Sequence, residues 1–287
     1  MATQTADHPA ETAAPDAVVV RFAGDSGDGM QLTGGQFTLS TALAGNDLAT
    51  FPDFPAEIRA PQGTLFGVSA FQINFGSREI NTAGDAPDVL VAMNPAALKV
   101  NLDALKPGGL VIADTGEFSK RNLDKAKYQT NPIEDGSLAK WQVLAFDLSA
   151  LTIEAVKEFG LGNKDALRCK NMWTLGLALW MFDRDRQPLI DWLNAKFKTK
   201  PDIAAANIAA LNAGHAYGET AELSGPLKQT HIPPARNWLN CRCSSAATRS
   251  RLPPRSCTTS RGSRNSASPV LRARALRSRA RRWAWPS

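Results

Sequence analysis

The chain has 287 residues, 43% of them hydrophobic, and a formal charge of +6. That charge is unevenly placed: residues 236–287 hold thirteen arginines and no lysine, aspartate or glutamate, leaving residues 1–235 with 20 basic and 27 acidic side chains, a formal −7. Such an acidic body excludes a nucleic-acid enzyme, which needs a clustered basic surface to grip phosphates.

Residues 1–16 form a polar, Ala/Pro/Thr-rich leader, expected to be disordered, without the apolar centre of a signal peptide. No later run reaches the ~18–20 apolar residues of a membrane span, so a soluble, cytoplasmic protein with no membrane contact is expected. Residues 17–22 (AVVVRF) read as a strand apolar on both faces, as in the centre of a parallel sheet. A glycine-rich turn follows, then a helix on which Leu32, Leu39 and Leu43 share one face, stopped by Gly45-Asn46. Further strands are predicted at 48–51, 67–75, 88–93, 110–113 and 142–146. Asn94-Pro95 reads as N-cap and first helical residue, opening a helix with Leu98, Leu102 and Leu105 as its buried stripe and Gly108-Gly109 as its end. Helical stretches are predicted at 151–159, 164–182, 188–197 and 202–222. This alternation predicts a Rossmann-like, doubly wound α/β fold, with a mostly parallel sheet and helices on both faces. The domain is placed at 17–225, a Gly/Pro-containing linker at 226–235, and an arginine-rich tail without periodicity, expected to be disordered, at 236–287.

Two loops carry candidate binding residues. The first is Gly24, Asp25, Ser26, Gly27, Asp28 and Gly29, where the first strand hands over to the first helix and free N–H groups favour an anion. Its G-x-x-G-x-G spacing is not the dinucleotide G-x-G-x-x-G, and Asp28 with Gln31 can equally form a capping box, so ligand loop and structural cap both stand. The second is Arg59 with Gln62, Gly63 and Thr64; Arg59 can fork onto a carboxylate or phosphate, or be a solvated loop charge. Cys169, between Leu167 and Met172, reads as a buried, inert thiol. No catalytic residue and no metal-ligating cluster is predicted.

Four segments together carry a resemblance: residues 22–36 (FAGDSGDGMQLTGGQ), 60–75 (APQGTLFGVSAFQINF), 88–95 (DVLVAMNP) and 166–180 (ALRCKNMWTLGLALW). Over about 17–234 the chain resembles the gamma-type domain that opens the alpha subunit of two-subunit 2-oxoglutarate:ferredoxin oxidoreductases. The resemblance implies an enzyme that decarboxylates a 2-oxoacid on thiamine diphosphate, passes electrons through an iron–sulfur cluster to ferredoxin, and releases an acyl-CoA. It implies that thiamine diphosphate and cluster are held outside this domain, by a beta subunit and the rest of the alpha subunit, while this domain assists coenzyme A. Gly24, Ser26, Gly27, Gly29, Arg59, Gln62, Gly63 and Thr64 are the expected contacts, and the chain by itself is expected to be inactive. The rival reading is a free-standing nucleotide- or CoA-binding module whose basic tail holds nucleic acid or an acidic partner.

The tail itself bears on this choice. In the family, Tyr-Pro-Ile-Thr-Pro should follow the domain. Read in the neighbouring frame, the codons permitted for residues 242–260 allow Met-Phe-Phe-Gly-Gly-Tyr-Pro-Ile-Thr-Pro. A frameshift between Ala235 and Arg242 is therefore expected.

Overall fold

The computed structural model describes residues 15–57, 60–224 and 229–235, all within the first of two compact units, Met1–Ser244. Arg59, the tail with its expected frameshift, and the second unit, Ser245–Ser287, lie outside the described residues.

Six strands form one sheet: β1 (Ala17–Asp25), β2 (Asp47–Asp53), β3 (Val68–Gly76), β4 (Val89–Ala92), β5 (Leu110–Asp114) and β6 (Gln142–Phe146), in the order β2-β3-β1-β4-β5-β6. β1, β4, β5 and β6 run parallel, whereas β3 is antiparallel to both β1 and β2. The reversal has a local cause. Residues 54–67 join β2 to β3 with a single 3₁₀ turn among the described residues, and a parallel return needs a crossover, usually helical. Every residue of β3 and β4 is buried, which explains their unbroken apolar or small-polar character.

Helices α1 (Met30–Leu43), α6 (Lys170–Met181) and α8 (Pro201–Ser224) serve one face, where Phe22, Phe37, Phe75, Trp173 and Leu175 make the main core. Phe37 sits at its centre, with ring centroids of Phe22, Phe75 and Phe182 at 5.7, 5.5 and 5.8 Å, all edge-on. Helices α2 (Pro95–Asn101) and α3 (Lys120–Lys125) lie on the opposite side of the sheet, over a smaller core of Ala23, Leu90, Leu98, Val111 and Phe118. Three further helices, α4 (Leu148–Ala155), α5 (Asn163–Leu167) and α7 (Gln187–Lys196), complete the domain.

α6 is buried on almost every side because it is held between the sheet and α8. A Cβ on Gly214 of α8 would stand 1.9 Å from the Trp173 carbonyl oxygen, and one on Gly176 of α6 would stand 2.0 Å from that of Leu211. Only glycine at both positions lets the two backbones come this close.

The predicted 164–182 helix is two helices, divided at Arg168-Cys169. On α1 the buried face is Met30, Thr33, Gly34, Phe37, Ser40 and Thr41, whereas Leu39 and Leu43 are exposed. The Leu32/Leu39/Leu43 stripe thus points largely outward, since small residues are what the close approach of α1 to β3 admits. Asn94 caps α2 as expected, accepting from Ala97 N–H at 2.8 Å, but α2 ends at Asn101, well before Gly108. Residues 229–235, read as linker, lie against the domain without regular structure. Ile232 and Ala235 are buried there, and Asn46 Nδ2 donates to the Pro233 carbonyl at 2.8 Å.

Candidate functional site

The strand order places β1 between β3 and β4, so the sheet divides at the carboxyl end of β1. In open α/β sheets the crevice at such a divide is where ligands bind. Gly24 and Asp25 end β1 there, Asn94 follows β4, and Asp114 ends β5.

The glycine turn is closed on itself: Asp25 N–H donates to Asp28 Oδ2 at 2.8 Å, and Asp28 N–H donates to the Asp25 carbonyl at 2.9 Å. Gly29, at φ 75° and ψ 27°, is the N-cap of α1, a left-handed position that favours glycine. It makes no side-chain cap, so the capping box of Asp28 and Gln31 does not form. The Gln31 amide instead donates to Ser69 Oγ and to the carbonyls of Ala70 and Asp53. Asp28 is committed to the turn behind it, and Gln31 reaches sideways to β3. Among the described residues, the N–H groups of Met30, Gln31 and Leu32 have no acceptor, as befits a helix start.

The second loop meets the first directly. Gly63 N–H donates to Asp25 Oδ2 at 2.8 Å, and Ser26 N–H donates to the Gly67 carbonyl at 3.3 Å. A Cβ on Gly27 would lie 3.6 Å from Gln62 Nε2. The structure therefore brings Gly24, Ser26, Gly27 and Gly29 together with Gln62, Gly63 and Thr64. Ser26, Gly27 and Gln62 are exposed, Asp25 and Gly63 are buried, and the Thr64 hydroxyl donates to the Pro61 carbonyl at 2.7 Å.

Three groups at this crevice escaped the sequence reading. Lys125, at the end of α3, donates from Nζ to the Gln62 carbonyl at 2.9 Å, leaving its other N–H bonds beside the two loops. Lys170, at the start of α6, is buried with Nζ 2.9 Å from Asp114 Oδ2 and 3.0 Å from Glu117 Oε1. Asp114 also accepts from the N–H groups of Gly116 and Leu148. The signal was a lysine opening an apolar helix, but both carboxylates lie more than fifty residues away in sequence.

The electrostatics follow from burial. Burial pushes Asp28 up to about 6, against the Asp25 N–H and the charge of Lys170. Burial likewise raises Asp25, offset in part by the Gly63 N–H and by Asn94. For Lys170 burial opposes the charge, but Asp114 and Glu117 outweigh it and hold its pKa above the ordinary lysine value. Cys169 is buried and its thiol is pushed up to about 11, so it is no nucleophile at neutral pH. His215 Nδ1 lies 3.5 Å from Glu219 on α8, one turn along. The crevice thus has an acidic floor and a rim that offers N–H donors and one lysine. Among the described residues no group of three or more His, Cys, Asp or Glu is placed to hold a metal ion.

A mostly parallel, doubly wound sheet with a glycine turn at its divide is an architecture that many nucleotide-binding α/β domains share. Comparison with known proteins narrows it: residues 19–217 match the model of the pyruvate ferredoxin/flavodoxin oxidoreductase family, and the chain belongs to that family. It is 55% identical over 228 residues to the 2-oxoglutarate oxidoreductase subunit KorA of Mycobacterium tuberculosis, covering 78% of this chain and 35% of that protein. It is 27% identical over 201 residues to the ketoisovalerate oxidoreductase subunit VorA of Methanothermobacter marburgensis, covering 69% of this chain and 36% of that protein. In fold it is similar to the 2-oxoglutarate:ferredoxin oxidoreductase of Magnetococcus marinus, solved with 2-oxoglutarate, coenzyme A and succinyl-CoA bound. That likeness has a TM-score of 0.55 at 24% identity, over 77% of this chain and 33% of the other. The chain spans about a third of the length of the curated relatives it matches. Among the described residues no helix is long and apolar enough to cross a membrane.

Proposed function

We propose that this chain supplies the gamma-type domain of the alpha subunit of a 2-oxoacid:ferredoxin oxidoreductase, with 2-oxoglutarate as its oxoacid. The complete enzyme converts 2-oxoglutarate, coenzyme A and oxidised ferredoxin into succinyl-CoA, carbon dioxide and reduced ferredoxin. The 55% identity to a 2-oxoglutarate oxidoreductase subunit across 78% of the chain carries this reading. Thiamine diphosphate and the iron–sulfur cluster belong to the beta subunit and the rest of the complex, and ferredoxin reaches the electrons there. No observation favours the rival nucleic-acid module.

Within that division of labour the crevice holds the polyphosphate of coenzyme A. The uncommitted N–H groups of Met30, Gln31 and Leu32 and the ammonium of Lys125 meet phosphate oxygens at the rim. The carboxyl of Asp28 faces donors such as ribose hydroxyls rather than phosphate. Gly27 keeps the turn from filling the gap beside Gln62, and Arg59 adds a second cation from the same loop.

The test uses the assembled two-subunit oxidoreductase that contains this domain. Gly27→Val and Arg59→Ala each raise the KM for CoA and leave that for the oxoacid nearly unchanged. For Arg59→Ala the rise is on the order of tenfold or more, since a charge-assisted hydrogen bond is worth about 1.5–3 kcal/mol. If both variants keep the parental KM for CoA, the crevice is structural and the polyphosphate lies elsewhere.

A further inference from the structure

At the other end of the sheet a buried cation has two N–H-bearing atoms without a hydrogen-bond acceptor. Arg184, between α6 and α7, is 5% exposed, and its Nε and Nη2 atoms are both buried without a hydrogen-bond acceptor. Among the described residues no carboxylate lies within ion-pair distance, although the charge of the adjacent Asp183 supports the guanidinium through space; its guanidinium lies over the Phe75 ring, 5.5 Å from the centroid. Phe75 pairs with Val18 near the start of β1, so this place is remote from the glycine turn. Burial lowers the pKa of Arg184 to about 10, which still leaves it charged at neutral pH.

We propose that Arg184 is an anion-binding residue whose ligand is a carboxylate, taken side-on by Nε–H and Nη2–H. Those two bonds point the same way from one planar group, at the spacing of two carboxylate oxygens, and the pair left without acceptors is this fork. A ring face compensates part of the charge but accepts neither N–H. Burying an unpaired charge is costly, so a site that keeps an arginine here gains from whatever completes it. The segment 229–235 is tied down beside it, where Thr230 N–H donates to the Met181 carbonyl at 2.7 Å and His231 Nδ1 lies 2.8 Å from Asp183 Oδ2. No side chain of residues 236–287 can supply the carboxylate, since that stretch contains neither aspartate nor glutamate. The ligand we assign is a carboxylate side chain of another polypeptide or a small free carboxylate; capture of Asp7 or Glu11 of this chain's own leader would instead leave the parent without a formate response.

The experiment compares thermal unfolding of this chain in sodium formate and in sodium chloride at equal ionic strength. Formate raises the Tm of the parent by a few degrees and leaves that of Arg184→Met unchanged, while Arg184→Met is itself more stable than the parent in chloride. A formate titration of the parent, followed by the Arg184 Nε–H resonance, shows a saturable shift that needs no variant. Repeating the melts on the assembled oxidoreductase separates the sources: a lost formate response places a polypeptide carboxylate on the fork, and a retained one a free small carboxylate. If formate and chloride act alike on the parent chain and the resonance does not move, the guanidinium is already satisfied and the proposal fails.

Discussion

Lys170 Nζ lies 2.9 Å from Asp114 Oδ2, with the two side chains 10% and 0% exposed. The pair joins the start of α6 to the end of β5, and Glu117 shares the same ammonium. Lys170→Met leaves Asp114 buried without its counter-charge, which costs ~3–5 kcal/mol in comparable pairs. Urea unfolding of the parent and variant measures this. A loss under ~1 kcal/mol would make the pair no more important than a surface one.

Asp28 gives the domain a pH signature. Its folded pKa, about 6, lies above the ordinary aspartate value of 3.8, so the folded state binds this proton more tightly than the unfolded state. The associated stability is fully present below about pH 3.8 and is lost as pH rises through about 6. Asp28→Asn keeps an oxygen to accept the Asp25 N–H but does not titrate. Between pH 4 and pH 6.5 the parent should therefore lose stability relative to this variant, by urea midpoints at matched ionic strength. A constant difference across that range would show that Asp28 titrates normally.

On the proposed placement of coenzyme A, Lys125 tests its phosphate portion separately from the rest. In the assembled enzyme Lys125→Ala should weaken CoA about tenfold, the worth of one charge-assisted contact. Pantetheine, which lacks phosphate, should inhibit parent and variant equally. Equal losses for both would mean that Lys125 only braces the Gln62 carbonyl.

Two glycine substitutions should have opposite signs. Gly214→Ala drives a methyl group to 1.9 Å from the Trp173 carbonyl oxygen and must spread α6 from α8, at a cost of ~1–3 kcal/mol or more. Gly35, inside α1, has open space where its Cβ would stand, so Gly35→Ala should gain ~0.5–1 kcal/mol through helix propensity. Tm values of the two variants check both.

Strands were legible because each is a short run rich in apolar residues. Residues 142–146 match β6 end for end, and the five others agree to within three residues at either end. The reversal of β3 was not legible, since it depends on a 54–67 connection with only a 3₁₀ turn among its described residues rather than on the composition of β3. The α1 stripe misled because leucines at helical spacing outweighed Thr33, Gly34 and Thr41, which are what lies against the sheet. At the crevice, glycines mark both loops in sequence, but the contact between them rests on two backbone N–H groups, Gly63 on the Asp25 carboxylate and Ser26 on the Gly67 carbonyl. Lys125 and Lys170 looked like ordinary helix lysines because the groups that define them come from other elements.

The anchoring of residues 229–235 sets a reach problem for whatever polypeptide follows. Ala235 N–H donates to the Gly45 carbonyl, and Asn46 Nδ2 donates to the carbonyl of Gly76, the residue opposite Ala17 at the start of β1. The crevice opens beyond Asp25, eight residues along β1 from Ala17. At about 3.3 Å per strand residue that separates the chain's exit from the ligand by some 26 Å. A segment leaving Ala235 needs at least about eight fully extended residues to return to the crevice mouth. On the proposed placement of coenzyme A, the first eight or so residues beyond Ala235 cannot wall the crevice, and whatever closes it arrives from farther along the chain or from another subunit.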